Sequence, residues 1–385
     1  MDAGVVQQQN VSLPRRRSRV RIPSPAHKKM LGKIIGLILV IAAVSVVVIF
    51  VLPIIIKDNV VLAPTPTNSP TPSAQPPTSI LFLDDIMLAR GVAHQIEKNN
   101  DLYYPFRNVQ ALFKQNDFIF ANFESPIIDG QEIKAGQTIF RVDEKLAPIL
   151  KEINLSVVSL ANNHMLDFGQ KGLLNTLKIL DENKIQYIGA GQNYQEAHQY
   201  KILEKNGIKV AFLAYNDTDV VPKTDEASEN RPGTALMNVG ALKNDVAMTA
   251  AAADFIIVSM HSGTEYQESP NDRQIEFAHA AIDAGADLVI GHHPHVVQKV
   301  EKYKNGYIFY SLGNFIFDQM WSPETKQGIA AQIQFSKSEI KEIKIIPFGI
   351  ENYSQPKIIS QKDSPEIFQK IINRLNLPVD AIFVF

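Results

Sequence analysis

The sequence predicts an α/β protein. Between Ile80 and about Phe348, short apolar runs alternate with stretches of helical periodicity. Most of these runs are continuously apolar, which is typical of strands that are buried on both faces. Polar residues able to bind ligands follow the runs directly, and ligands of open α/β sheets bind beyond the carboxyl ends of the strands.

The apolar runs predict eight strands in the order ILFLDD, DFIFANF, LSVVSLA, IQYIGA, KVAFLAY, DFIIVSM, DLVIGH and YIFYSLG. Helical patterns occur at residues 143–153, 170–183, 238–252 and 272–284. Two later runs, AAQIQF and IKEIKIIPF, alternate apolar and polar residues and predict antiparallel strands at a sheet edge. Residues 364–376 predict a closing helix.

Residues 1–33 predict a disordered basic tail. They hold eight Lys or Arg residues and a single acid, Asp2, with no apolar periodicity. Met30 is an alternative start codon, in which case the first 29 residues would not be translated.

Residues 34–56 carry no charge and predict one transmembrane helix. At about 1.5 Å per residue this segment is about 34 Å long, enough for a bilayer core of roughly 30 Å. A buried soluble helix rarely lacks every charge over this length, and the apolar region of a cleavable signal peptide is usually shorter. The basic flank predicts a cytoplasmic N-terminus, so the main domain is expected outside the cell membrane.

Residues 57–79 are rich in Pro, Thr and Ser and predict an extended linker. The main domain is expected at residues 80–348, with residues 349–385 packing on it as a C-terminal extension.

The chain of 385 residues has a formal net charge of −2 and no cysteine. This charge gives no global support for binding nucleic acid, so no nucleic-acid partner is expected. The lack of cysteine excludes thiol nucleophiles, disulfides and thiolate ligands. Any metal site must therefore use His, Asp, Glu and Asn.

Six predicted strand ends carry residues able to bind a metal ion. They are Asp84 and Asp85; Asn122 and Glu124; Asn162, Asn163, His164 and Asp167; His261 and Glu265; His292, His293 and His295; and Asn314 and Asp318. One such residue alone is usually a cap or part of a turn. Their recurrence at six strand ends predicts one shared site.

Two of these segments are the most specific. In Asn-Asn-His-x-x-Asp, an amide oxygen is able to ligate a hard cation, His164 to donate a proton, and Asp167 to orient the ring of His164. In GHHPH, an extended backbone would place the rings of His293 and His295 on one face, as shared ligation needs. His292 would then point elsewhere.

Six motifs, in this order, resemble the capsule-synthesis family of the CapA/PgsA type, which is linked to poly-γ-glutamate capsules. They are DDIMLAR (84–90), NFESPI (122–127), SLANNHMLDFG (159–169), HSGTEY (261–266), GADLVIGHHPHVVQ (285–298) and YSLGNFIFDQ (310–319). That family is similar to the calcineurin-like metallophosphoesterases, so the resemblance implies an αββα sandwich with metal ions at the sheet ends. The metal ligands it implies are Asp85, Glu124, Asn163, His261, His293 and His295, with His164 as the proton donor.

The chain departs from the pattern at several positions. Asp84 replaces the usual Gly, Ser262 the usual Trp, and Met87 the histidine of the Asp-x-His found in the wider superfamily. A thioether is a poor ligand for a hard cation, and Glu124 replaces a shorter Asp. We therefore expect one or two divalent ions, Mn²⁺ or Zn²⁺.

Two functional classes are compatible with these features. A membrane-anchored assembly or export factor would bind a nascent anionic polymer outside the cell without turnover, alongside capsule synthase subunits. A metal-dependent hydrolase would instead cut a phosphoester, or an amide of the polymer, including an unrelated substrate of the cell envelope. In both classes substrate contacts are expected from Arg90, Asn122, Glu265 and Asn314.

Overall fold

The computed structural model describes residues 75–130, 133, 137–379 and 382–385. The predicted basic tail, the predicted transmembrane helix and the linker up to residue 74 lie outside this part of the chain. Within the described ranges, no helix is both long enough and apolar enough to cross a membrane.

The structure contains sixteen strands in the described residues. They are β1 Thr78–Ile86, β2 Phe118–Phe123, β3 Leu155–Ser159, β4 Gln186–Ile188, β5 Ala190–Gly191, β6 Lys201–Lys205, β7 Ile208–Asn216, β8 Gly233–Thr234, β9 Phe255–His261, β10 Leu288–His292, β11 Val300–Tyr303, β12 Gly306–Phe309, β13 Gln327–Phe335, β14 Ile340–Glu351, β15 Gln355–Ile358 and β16 Phe383–Val384.

The α-helices in the same part of the chain are α1 Arg90–Lys98, α2 Gln110–Phe113, α3 Ala147–Glu152, α4 Gly169–Glu182, α5 Tyr194–Ala197, α6 Val239–Thr249, α7 Asp272–Ala284 and α8 Pro365–Leu375. Short 3₁₀ helices cover Tyr104–Val109, Glu144–Leu146 and Lys223–Asp225.

Two sheets form the centre of the fold. The first has eight strands in the order β15-β14-β13-β1-β2-β3-β4, with β16 paired to β14, and the second has the order β11-β12-β10-β9-β7-β6. Strands β1 to β4 are parallel to their neighbours in that series, as are β7, β9, β10 and β12. Strands β5 and β8 form a separate pair.

Apolar side chains from the two sheets pack against each other. Phe82 and Phe120 of the first sheet meet Phe212 of the second, with ring centroids 6.4 and 5.8 Å apart. Helix α4 covers the outer face of the first sheet, and helices α6 and α7 cover that of the second. The predicted α/β class and the four αββα layers are therefore confirmed.

Helix α7 has the predicted bounds because both of its ends are marked in the sequence. Asn271 and Gln274 form a capping box at its start. Gly285, with φ of 114°, ends the helix in the left-handed region that glycine adopts without strain.

The C-terminal part differs from the prediction. Strand β13 lies between β14 and β1, so the two alternating runs are antiparallel but not at the edge, which β15 forms. The expected boundary after Phe348 falls inside β14, because this strand continues to Glu351. Beyond it, Ile371 and Leu375 of α8 are fully buried in the core shared by the two sheets.

Candidate metal centre

The end of β1 places two adjacent carboxylates in one buried location. Phe82 pairs with Phe120 but Asp85 pairs with Asn122, so β1 contains one extra residue, a β-bulge. Adjacent side chains of a regular strand point to opposite faces. Here Asp84 and Asp85 are both fully buried, and both belong to one group of potential metal ligands.

Asp85 connects the two sheets. Its Oδ1 accepts a hydrogen bond from Asn122 Nδ2 at 2.8 Å, and its Oδ2 lies 3.0 Å from His295 Nδ1. Burial alone would raise the pKa of Asp85, but the hydrogen bond and charge of His295 outweigh burial and hold this pKa well below its usual value. Asp85 is therefore ionised, the form that binds a cation.

Glu124 follows β2 and shares a candidate ligand group with Asp85 and His261, whose potential ligand atoms all lie within 4.8 Å of one another. Burial, and next the charge of Asp85, raise the pKa of Glu124 well above its usual value. The raised pKa favours the protonated form of this carboxyl group, and a bound metal ion would displace that proton.

His261, the last residue of β9, meets the predicted amide ligand. Its Nε2 lies 2.9 Å from Asn163 Oδ1, and its Nδ1 lies 3.3 Å from Asn122 Nδ2. Burial and the neighbouring His293 lower the pKa of His261 well below its usual value. The neutral ring is the form that ligates metals.

The GHHPH segment reaches the site through an unusual backbone. His293 and His295 have φ values of 97° and 58°, so the prediction of an extended segment is wrong. Their ring centroids are nevertheless 5.9 Å apart, and both rings join Glu265 in another candidate ligand group. Burial lowers the pKa of His293 to about 3. Left-handed residues of this kind cost about 1–3 kcal/mol and cluster at functional sites.

Gly291, one residue before the end of β10, lies close to the backbone of the neighbouring chain segment. A Cβ atom at this position would lie 2.1 Å from the backbone oxygen of Tyr310, far inside van der Waals contact. Only glycine therefore fits where β10 approaches the chain after β12.

His164 is oriented as a proton donor would be. Its Nδ1 lies 2.9 Å from Asp167 Oδ2, which also accepts a hydrogen bond from the backbone N–H of Phe140 at 2.6 Å. The ring of Phe140 stacks on the ring of His164. On the other side of the imidazole, Nε2 lies 3.7 Å from Glu124 Oε1 and so faces the acidic ligands.

A family model described as "Bacterial capsule synthesis protein PGA_cap" matches residues 79–319. The capsule biosynthesis protein CapA of Bacillus anthracis is 34% identical over 301 residues, which cover 76% of this chain and 72% of that relative. The chain belongs to this capsule synthesis family. The PGA biosynthesis protein CapA of Bacillus subtilis (strain 168) is 32% identical over 310 residues, 80% of this chain and 79% of that one. Among solved structures, the calcineurin-like phosphoesterase YfkN of Bacillus subtilis aligns with 78% of this chain and 97% of its own at 15% identity, with a TM-score of 0.43.

Two residues expected to contact substrate are completely buried in this family member. The amide nitrogen of Asn122 faces Asp85, and its oxygen accepts a hydrogen bond from Asn162 at 3.2 Å. Asn314 Oδ1 lies 2.9 Å from His295 Nδ1, and Asn314 Nδ2 donates a hydrogen bond to the backbone oxygen of Thr325 at 2.9 Å. Protein groups therefore occupy both amides, and each amide contacts a candidate metal ligand, Asp85 or His295.

The other two expected contacts are less deeply buried. Arg90 forms an ion pair with Asp318, and its guanidinium lies 4.5 Å above the ring of Phe140. Glu265 belongs to the group that contains His293 and His295, so it is also a candidate metal ligand.

Two aromatic residues form a rim beside the histidines. The ring of Tyr266 lies 6.1 Å from that of His295, and Trp321 packs edge-on against Tyr266 at 4.6 Å. Trp321 is 62% exposed.

Sequence reasoning missed two features of this centre. His292 does not turn away; it is fully buried and bonded to Asp84, and the unusual acid at position 84 was the only signal for this pair. Phe140 carried no signal at all, because a single aromatic residue in a loop fits no pattern.

The donor set fits a divalent metal ion. Glu124 Oε1, His292 Nε2 and His293 Nδ1 are buried and have no hydrogen-bond partner among the residues that the structure describes. Each unpaired buried polar group costs about 1–3 kcal/mol. Bonds to a metal ion would satisfy these atoms, and a mixed carboxylate, amide and imidazole set without sulfur suits Mn²⁺ or Zn²⁺.

Proposed function

We propose that this protein acts in the synthesis or export of an anionic capsule polymer of the poly-γ-glutamate type and holds one or two divalent metal ions. The observation that carries the proposal is the convergence of Asp85, Glu124 and His261 from the ends of three strands on one buried location. The names of two relatives, which refer to capsule and PGA biosynthesis, support the choice of polymer.

We further propose that residues 34–56 anchor the chain in the cell membrane, with the main domain outside. The uncharged length of that segment and the basic residues before it support this arrangement. Deletion of residues 34–56 is expected to move the protein from the membrane fraction to the soluble fraction. Unchanged membrane association would contradict the anchor.

In the proposed site, Asp85, Glu124, Asn163, His261, His293 and His295 hold the metal. A bound divalent ion would lower the pKa of a water molecule and attract an anionic centre. Asp167 faces Nδ1 of His164 and so directs Nε2, the nitrogen from which a proton would be donated, toward Glu124. Arg90 adds positive charge beside the site, although Asp318 already balances part of that charge.

A second function, a metal-dependent hydrolase acting on another substrate of the cell envelope, is favoured by one specific observation. His164 is fixed by Asp167 on one side and faces Glu124 on the other. A protein that only grips a polymer has no need for an oriented proton donor.

One experiment separates the two functions. The purified full-length protein is analysed for bound metal, and its hydrolysis of phosphoesters and γ-glutamyl amides is screened with and without added Mn²⁺ or Zn²⁺. Turnover that depends on metal and is lost in His164→Ala, with metal content retained, selects the hydrolase. Metal-dependent binding of polyglutamate without turnover selects the assembly factor. The control is His94→Ala, because His94 is exposed on α1.

Absence of bound metal in the native protein, with no thermal shift on metal addition, would overturn the metal centre itself.

A further inference from the structure

We propose that His292, oriented by Asp84, is an additional ligand of the metal at Asp85 and takes the role of the histidine that is missing at Met87. The inference rests on the proposed metal centre. It adds two residues that the family resemblance did not assign.

Met87 is unable to fill that ligand position. Its side chain is completely buried, and its sulfur accepts a hydrogen bond from the backbone N–H of Ala89 at 3.1 Å. The sulfur is therefore already bonded to the backbone immediately before α1. A thioether is in any case a poor ligand for Mn²⁺ or Zn²⁺ when carboxylates and imidazoles are present.

His292 approaches Asp84 and Asp85 from the other sheet. It is the last residue of β10 and is fully buried. Asp84, Asp85 and His292 form a group in which one potential ligand atom of each residue lies within 4.8 Å of the others. The β1 bulge makes this meeting possible by turning Asp84 inward beside Asp85.

The hydrogen bonding of His292 is the arrangement that metal-bound histidines use. A ligating imidazole donates its second ring N–H to a carboxylate, which fixes the tautomer and the ring plane. Asp84 Oδ1 contacts His292 Nδ1 and so supplies that carboxylate. The opposite nitrogen, Nε2, is buried without a partner among the described residues, which leaves its lone pair available to a cation.

The main alternative is that the pair only ties the two sheets together. Strand β1 belongs to the first sheet and β10 to the second, so the Asp84–His292 contact bridges them. This structural role predicts a loss of stability on substitution but no change in metal binding.

The chain offers a matched control for this comparison. His198 is also buried, its Nδ1 lies 2.7 Å from Asp245 Oδ2, and its Nε2 lacks a partner within the described part of the chain. None of the three candidate ligand groups includes His198. His198→Gln therefore reports the cost of losing a buried, carboxylate-bound histidine away from the site.

The test compares full-length native protein, His292→Gln, Asp84→Asn and His198→Gln. Zn²⁺ per chain is measured by elemental analysis, and Zn²⁺ affinity by competition with a chelating dye. We expect His292→Gln to weaken binding about 100-fold or to lower the stoichiometry, and Asp84→Asn to weaken binding about tenfold. His198→Gln should keep the native affinity even where its thermal stability falls.

Native affinity and stoichiometry in a folded His292→Gln variant would overturn the inference and leave the metal centre intact. A native protein that binds neither Zn²⁺ nor Mn²⁺ would overturn both. If the His292 variant does not fold, anomalous diffraction from Zn²⁺-soaked crystals of the native chain decides. A peak about 2.0–2.1 Å from a His292 nitrogen supports the inference, and peaks at the other ligands alone overturn it.

Discussion

The ring of Phe140 lies on the ring of His164, with 3.7 Å between centroids and 26° between planes. The backbone N–H of Phe140 also donates to Asp167 Oδ2, the oxygen that faces His164 Nδ1. One loop residue thus contacts both members of the His164–Asp167 pair. Arg90 packs on the same aromatic ring, so the ring of Phe140 contacts both the predicted proton donor and the guanidinium of Arg90.

Replacing Phe140 by Ala should lower the free energy of unfolding by about 3–5 kcal/mol, because a buried aromatic side chain is lost and a cavity remains. Urea denaturation measures this change. Phe385→Ala is the control, since Phe385 is 56% exposed and its loss should change stability by no more than about 0.5 kcal/mol. Equal stability of the two variants would show that Phe140 does not pack on His164.

Asn314→Ala should reduce both stability and metal affinity. The change removes the contact with His295 and leaves the backbone oxygen of Thr325 without its donor. Each buried polar group left unpaired costs about 1–3 kcal/mol. Denaturation and metal titration provide the two measurements, with the exposed Asn99→Ala as the control. A variant with native stability and metal affinity but weaker substrate binding would restore the direct substrate role expected from the sequence.

Removal of metal by a chelator should lower the melting temperature of the native protein. A ligand that binds only the folded state stabilises it by about 2.7 kcal/mol at a concentration 100 times its Kd. Calorimetry before and after addition of Mn²⁺ or Zn²⁺ measures the shift. Glu124→Gln should lose most of the shift, because it removes a carboxylate of the Asp85 group. The same shift in both proteins would argue against Glu124 as a ligand.

The stability of the protein should also depend on Asp287, which lies away from the metal centre. Burial raises the pKa of this carboxyl group above 3.8, so the folded state retains its proton at a pH where the unfolded chain loses it. The protonated carboxyl group therefore contributes its full stabilisation of the folded state below about pH 3.8, and this contribution is lost as pH rises through the folded-state pKa. Each pKa unit between the folded and unfolded states corresponds to about 1.4 kcal/mol. Asp287→Asn should therefore stabilise the protein at pH 7, and this gain should disappear in acid.

Asp254→Asn is the control, because its effect on stability at pH 7 should have the opposite sign. Burial would raise the pKa of Asp254, but its hydrogen bond with Lys337 outweighs burial and lowers it. This variant should lose stability at pH 7 and approach the native value in acid. Parallel pH profiles for the two variants would contradict the assignment.

The strands were predictable because their burial on both faces leaves continuous apolar runs such as DFIIVSM. Strand order was not predictable in the same way. The alternation in β13 resembles that of an edge strand, but its position is set by pairing with β1, almost 250 residues earlier. Such pairing depends on long-range packing and leaves no local pattern.

The same limit applied to the site. Residues at strand ends, such as Asp85 and His261, could be chosen because parallel strands deliver their carboxyl ends to one edge. The bulge in β1 and the left-handed backbone at His293 could not be predicted, since both depend on how the two sheets meet. These two irregularities determine which neighbouring side chain faces inward, and that is why the contact between Asp84 and His292 was not predicted, although both residues were among the strand-end candidates.

The aromatic rim gives the protein an intrinsic optical probe. The chain contains a single tryptophan, Trp321, whose indole packs against Tyr266 beside the ring of His295. All indole emission therefore comes from this rim. A polymer that covers this rim should exclude water from the indole and shift its emission to shorter wavelength. Binding of the polymer is therefore measurable in native protein without a label.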